Sequence, residues 1–196
     1  MRKINSGLMS DYLIIKHCSP TLAGIKCGSL FSCEYESKEE LLKEVKRLNR
    51  LLVPKGLRVI PLRYGKERAL IYVYRPRGLE TELSNEEALE ILKQAGYESS
   101  SPDRCVIKLM SRLRENKDFP HEIGLFLSYP PEDVKGFILN KGKDAKLSGP
   151  WKVYGNQAYA QSRFNAYKTC TRIYCKRCLA GSGLDELTVA DSALRR

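Results

Sequence analysis

The feature best placed to do chemistry is His17-Cys18-Ser19-Pro20. Proline suits the first position of a helix and serine its cap, so the order predicts a helix opening at Pro20 with Cys18 just outside its N-terminus. Free N–H groups and the helix dipole at such a place stabilise a thiolate, the nucleophilic and metal-binding form of cysteine. His17 would pair with that thiolate, which makes Cys18 and His17 the candidate catalytic residues. Three late cysteines, Cys170, Cys175 and Cys178, follow each other at spacings of x4 and x2, similar to part of a plant-type ferredoxin ligand set. They fall on a predicted helix, where about 100° per residue sets Cys175 roughly 140° and Cys178 roughly 80° from Cys170. Three such thiols do not converge on one cluster. A site joining Cys18 with Cys170 or Cys175, holding iron or zinc, needs the chain ends to fold together. Packing of these cysteines in an apolar core is the competing explanation.

A second chemistry is electrostatic. Lys168, Arg172 and Lys176 recur at intervals of four, interleaved with Tyr159, Phe164, Tyr167 and Tyr174. Such a stripe suits an acidic partner or nucleic acid, with exposed tyrosines stacking on bases. It equally suits a solvated face opposite a packing stripe of Ala160, Phe164, Tyr167, Thr171, Tyr174 and Cys178. No recognised nucleic-acid module is present. A third arrangement lies around His121 and Trp151. His121 and Glu122 precede an apolar run and Glu132 and Asp133 open the next helix, and ligands gather where strand ends meet helix starts. Glu122 is followed by Ile123, Gly124 and Leu125, so there is no zinc-protease pattern. Glycine-rich phosphate loops, the serine-hydrolase elbow and kinase signatures are also absent from the sequence.

The elements that must position these residues follow from apolar periodicity. Residues 7–16 read as a helix, with a strand over Tyr12–Ile15 as the alternative, and a short helix then runs from Pro20 to Lys26. Ser29–Tyr35 suits a strand. Ser37 and Glu40 form a capping box that opens a helix with the stripe Leu41, Val45, Leu48 and Leu52. Leu57–Arg63 and Arg68–Arg75 read as a hairpin around Tyr64-Gly65-Lys66-Glu67. Ser84 and Glu87 open a further helix, Ser101-Pro102 another, and Pro130-Pro131 a third. Ile123–Leu127 reads as a buried strand and Trp151–Tyr154 as a short one. Asn156 caps the longest helix, which runs to about Leu179 and stops at Gly181. The whole predicts one α+β domain over residues 1–188, with about five short strands in a mixed sheet packed by about six helices, and a loose tail over 189–196.

Composition narrows the class. With 196 residues, 42% hydrophobic and 29% charged, the chain is long enough for a real core and is not of disordered composition. Lys and Arg number 34 against 23 Asp and Glu, a net charge of +11 that admits an anionic ligand. Seven cysteines, an odd number, argue against a disulfide framework. No apolar run approaches a membrane span and no signal-peptide order opens the chain, so the expected location is the cytoplasm.

Several stretches carry a family resemblance. They are the run from His17 to Lys26 with Ser29-Leu30-Phe31, the run from His121 to Phe137, Trp151-Lys152-Val153-Tyr154-Gly155, and Tyr167 to Cys175. Together they resemble a bacterial family known as domain of unknown function 3793, found mainly in anaerobic Gram-positive bacteria. Cys27 stands where that pattern has proline. The resemblance brings no established activity, but members often lie near iron-uptake and flavodoxin genes, which implies iron or redox metabolism and a redox partner such as a flavodoxin. Thr21, His121 and Trp151, inside the matching stretches, are the candidate cofactor contacts. The expected function is a cysteine- and histidine-dependent protein that binds a metal or redox cofactor, with enzymatic activity left open. The alternative is a non-catalytic module that binds an acidic partner or nucleic acid through the late basic helix.

Overall fold

Strand propensity and alternation concentrate in the first 75 residues, and the central sheet is built there. The computed structural model describes residues 9–98, 101–115 and 119–195. Strands β1 (Gly28–Glu34), β2 (Arg58–Tyr64) and β3 (Arg68–Tyr74) form an antiparallel sheet in the order β1-β3-β2. The β2–β3 hairpin turns over residues 65–67, as the sequence predicts, with the Gly65 N–H donating to the Arg68 carbonyl at 2.8 Å. Pro61 sits on the edge strand β2 beside a register shift between Pro61 and Arg63, where a missing ladder donor is tolerated.

The alternation in β3 divides the molecule into two cores. Ala69, Ile71 and Val73 face helices α1 (Asp11–Leu22) and α2 (Lys38–Leu52), whose Ile14, Ile15, Leu41 and Leu48 are fully buried. Tyr72 and Tyr74 face the other way, with Leu70 partly buried beside them. That side is covered by α3 (Pro76–Leu83), α4 (Glu86–Gln94), α5 (Pro102–Glu115) and α6 (Pro131–Leu139). A two-stranded ladder, β4 (Leu147–Ser148) and β5 (Lys152–Val153), leads into α7 (Gln157–Leu179), which packs along α1. Trp151, Val153, Ala160 and Tyr167 make a third, smaller cluster there.

The α+β class holds, with corrections in detail. The strands form one three-stranded and one two-stranded antiparallel sheet rather than a single mixed sheet. Ile123–Leu127 is not a strand: residues His121–Leu127 wind as a 3-10 helix between Pro120 and the left-handed Ser128 (φ 54°). A short apolar run buried on all sides carries no period that separates strand from helix. Helix α4 is capped by Asn85, whose Oδ1 accepts from the Glu87 and Ala88 N–H groups, not by Ser84, whose hydroxyl turns back to the Glu80 carbonyl. The segment read as a loose tail is fastened at its start. Buried Arg75 donates to the carbonyls of Thr21, Leu22 and Val189 and pairs with Asp191 at 2.5 Å, while the Val189 N–H donates to the Leu22 carbonyl. A buried guanidinium requires acceptors on several sides, and residues 189–191 supply part of them.

Candidate functional site: a sealed thiol, an aromatic cleft and a basic helix face

Helix α1 joins the two helices expected over residues 7–16 and from Pro20 to Lys26. Residues 7 and 8 lie outside the described residues, and the helix opens at Asp11 under a cap from the Ser10 hydroxyl and runs without a break through Ser19 and Pro20 to Leu22. Pro20 has no N–H to give the Lys16 carbonyl, and the Ser19 hydroxyl separately bonds back to the Ile15 carbonyl. Cys18 therefore lies in the C-terminal half of a helix, the end whose dipole disfavours a thiolate. Its side chain is fully buried among the residues facing α2 and β3, and burial pushes the thiol up to about 12, with the Lys26 ammonium opposing weakly. His17, one residue before it, is exposed and stacks face to face on the Phe31 ring at 5.4 Å. Partial burial, then Lys16, holds its imidazole below the ordinary value. The cap that was to activate Cys18 does not exist, and His17 and Cys18 occupy opposite environments.

The chain ends do fold together, since α1 packs on α7, with Cys175 and Cys178 against the core that holds Cys18. Cys170 is half-buried and its thiol is pushed up to about 11 by burial. Among the described residues, no three His, Cys, Asp or Glu side chains gather in an arrangement able to hold a metal ion. Cys18, Cys170 and Cys175 thus do not fit the iron or zinc site expected of them. Thr21 is also buried: its hydroxyl lies 2.8 Å from that of Ser29, and its carbonyl is taken by Arg75. It offers a cofactor nothing.

His121 and Trp151 do come together. They line one cleft of about 380 Å³ formed by the 3-10 segment, α6 and the β4–β5 turn. Trp151 stacks on Tyr129 at 4.9 Å and donates its indole N–H to Asp133 at 2.7 Å. The other Asp133 oxygen accepts the N–H groups of Tyr154 and Gly155 at 2.7 and 2.8 Å, so this buried carboxylate is used up as a clasp between α6 and the turn. His121 meets the Phe137 ring edge-on at 4.9 Å. Gly149 is required nearby, because a Cβ there would lie 2.3 Å from the Phe164 ring.

Behind Tyr129 sits a group that the sequence reading missed. The Lys26 ammonium rests between the rings of Tyr129 and Tyr167, 5.5 and 5.6 Å from their centroids. Burial lowers its pKa, opposed by the neighbouring thiols of Cys27 and Cys18. Arg163 lies over the same Tyr167 ring at 5.0 Å and donates to the Ile25 carbonyl. Cation–aromatic contact stabilises such groups. No pattern of spacing marks Lys26, since its partners stand more than a hundred residues away.

The basic stripe is on the surface. Lys168, Arg172 and Lys176 are all exposed along one side of α7, spanning roughly 12 Å at 1.5 Å per residue. Residues 157–179 include no Asp or Glu, and of the ion pairs among the described residues none involves α7. The tyrosines are divided: Tyr159 is 51% exposed, but Tyr167 is buried and Tyr174 half-buried. Ile173 and Leu179 are 46% and 64% exposed.

Fold and surface together define an α+β protein with an exposed helix face whose charged side chains are all basic. A family model described as "Protein of unknown function (DUF3793)" matches residues 14–188, and the chain belongs to that family. No curated protein and no solved structure matches it. Among the described residues, no helix is long and apolar enough to cross a membrane.

Proposed function

We propose that this protein is a cytoplasmic binding module that docks an acidic protein surface along the exposed face of α7. The observation that carries this reading is a 23-residue helix whose outward cations have no acidic neighbour on the helix and, among the described residues, no ion-pair partner. A field of one sign left unbalanced raises the local concentration of an oppositely charged partner and speeds its capture. A protein suits the face better than nucleic acid does. Base stacking needs exposed rings, and Tyr167 is turned into the core. Exposed Ile173 and Leu179 instead offer the apolar contact found at the centre of protein interfaces. A flavodoxin-like redox partner enters this reading only through its surface charge. A thiolate mechanism would need Cys18 accessible, and its burial leaves that reading without a reacting atom.

The test is titration of the protein with a labelled oligoglutamate peptide and with a single-stranded RNA of equal charge, at several salt concentrations. The peptide is expected to bind more tightly than the RNA, with affinity falling as salt rises. Tighter binding of the RNA would replace protein by nucleic acid as the partner, and no binding of either at low salt would end the reading.

A further inference from the structure

The cleft around His121 and Trp151 is separate from the α7 face and has a chemistry of its own. Its walls are Tyr129, Trp151, Phe137 and Ile123, and its volume of about 380 Å³ lies within the range of small-molecule sites, about 300–1,000 Å³. Stacked and edge-on rings line it, a shape that favours a flat apolar body. Its polar inventory is one-sided. Asp133 spends both oxygens on Trp151, Tyr154 and Gly155, and the Tyr129 hydroxyl donates to the Pro150 carbonyl. What remains is the His121 ring, whose nitrogens have no hydrogen-bond partner among the described residues, and the Lys152 ammonium. That ammonium gives one N–H to the Gly142 carbonyl and keeps two. We propose that this cleft binds a small planar apolar molecule carrying one anionic group, its rings against Trp151 and Tyr129 and its charge toward Lys152 and His121. The Lys152 ammonium brings a positive charge and two free donors to the rim of the cleft, which sets the sign of the preference.

Trp151 is the single tryptophan of the chain, so its emission reports on the cleft alone. Anilinonaphthalene sulfonate serves as the anionic probe and phenylnaphthylamine, the same ring system without the sulfonate, as the neutral one. The sulfonate is expected to quench Trp151 by energy transfer and to bind about tenfold more tightly than the neutral probe, a difference of roughly 1.4 kcal/mol. The variant Lys152→Gln should reduce that preference to about threefold while leaving the neutral probe's affinity unchanged, since the ammonium meets only the charged group. Lys152 is exposed, so the fold is retained and the neutral probe confirms it. Equal affinity for the two probes, an undiminished preference in the variant, or no transfer from Trp151 would each overturn the proposal.

Discussion

Helices α2 and α7 are built to the same plan and used differently. Each packs one side against the fold and each shows three exposed cations in a row, Lys43, Lys46 and Arg50 on α2 and Lys168, Arg172 and Lys176 on α7. On α2 the cations share the helix with Glu39, Glu40 and Glu44, and Arg47 pairs with both Glu44 and Asp11. Residues 38–52 carry five basic and three acidic side chains, a balance of 5 − 3 = +2, whereas 157–179 carry five basic and none acidic, or +5. The inward faces differ too. Leu41, Leu48 and Leu52 of α2 are fully buried, while only Ala160 and Tyr167 of α7 are buried. Helix α2 thus has its apolar stripe covered by the fold and its cations partly offset by the three glutamates it carries. Helix α7 is covered on one side and left with an unanswered field on the other, which is the condition of a surface that meets something else.

That contrast can be broken by substitution. The largest effect belongs to α2: Leu48→Ala is expected to destabilise the protein by about 2–5 kcal/mol in urea unfolding. Ile173→Ala, on the outward face of α7, should change stability by no more than about 0.5 kcal/mol. A comparable loss at both sites would mean that the two faces are equally structural.

The next effect concerns what α7 and α1 seal between them. Burial raises the Cys18 thiol from its ordinary value near 9 to about 12. The folded protein therefore holds this proton where the unfolded chain releases it. That contribution to stability is whole below pH 9 and is lost as pH rises from about 9 toward 12. Cys18→Ala should flatten the alkaline decline in that window by about 1.4 kcal/mol per pH unit, one proton's worth. An unchanged slope would show the thiol in contact with solvent and restore its claim to reactivity.

Legibility from the sequence followed the same division. Helix α2 was readable to the residue, because Ser37 caps it by accepting from the Glu40 N–H and its leucine stripe has a helical period. The β2–β3 hairpin and the two faces of β3 were equally plain. The basic stripe was visible because charges four residues apart share a helix side whatever packs opposite. Ser19-Pro20 misled for a physical reason: the pair suits a helix start, yet tertiary packing holds it inside α1, where the Ser19 hydroxyl bonds back to the Ile15 carbonyl. The burial of Cys18 was decided by α2 and the sheet, which no local pattern around position 18 reveals. His121 and Trp151 were named one by one, but their meeting depends on the Asp133 clasp between α6 and the β4–β5 turn. Lys26 escaped notice because its environment is made by Tyr129 and Tyr167.

The most direct test sets the two helices against each other at equal charge. One variant replaces Lys168, Arg172 and Lys176 with glutamine and the other replaces Lys43, Lys46 and Arg50, so both lower the net charge by the same amount. Oligoglutamate affinity is then measured at low salt, with urea unfolding as the check that both variants fold. The α7 variant is predicted to bind roughly tenfold more weakly than the parent, since exposed pairs contribute about 0.2–1 kcal/mol each, and the α2 variant less than twofold. Equal weakening in the two would show that overall charge, and not the face of α7, attracts the partner.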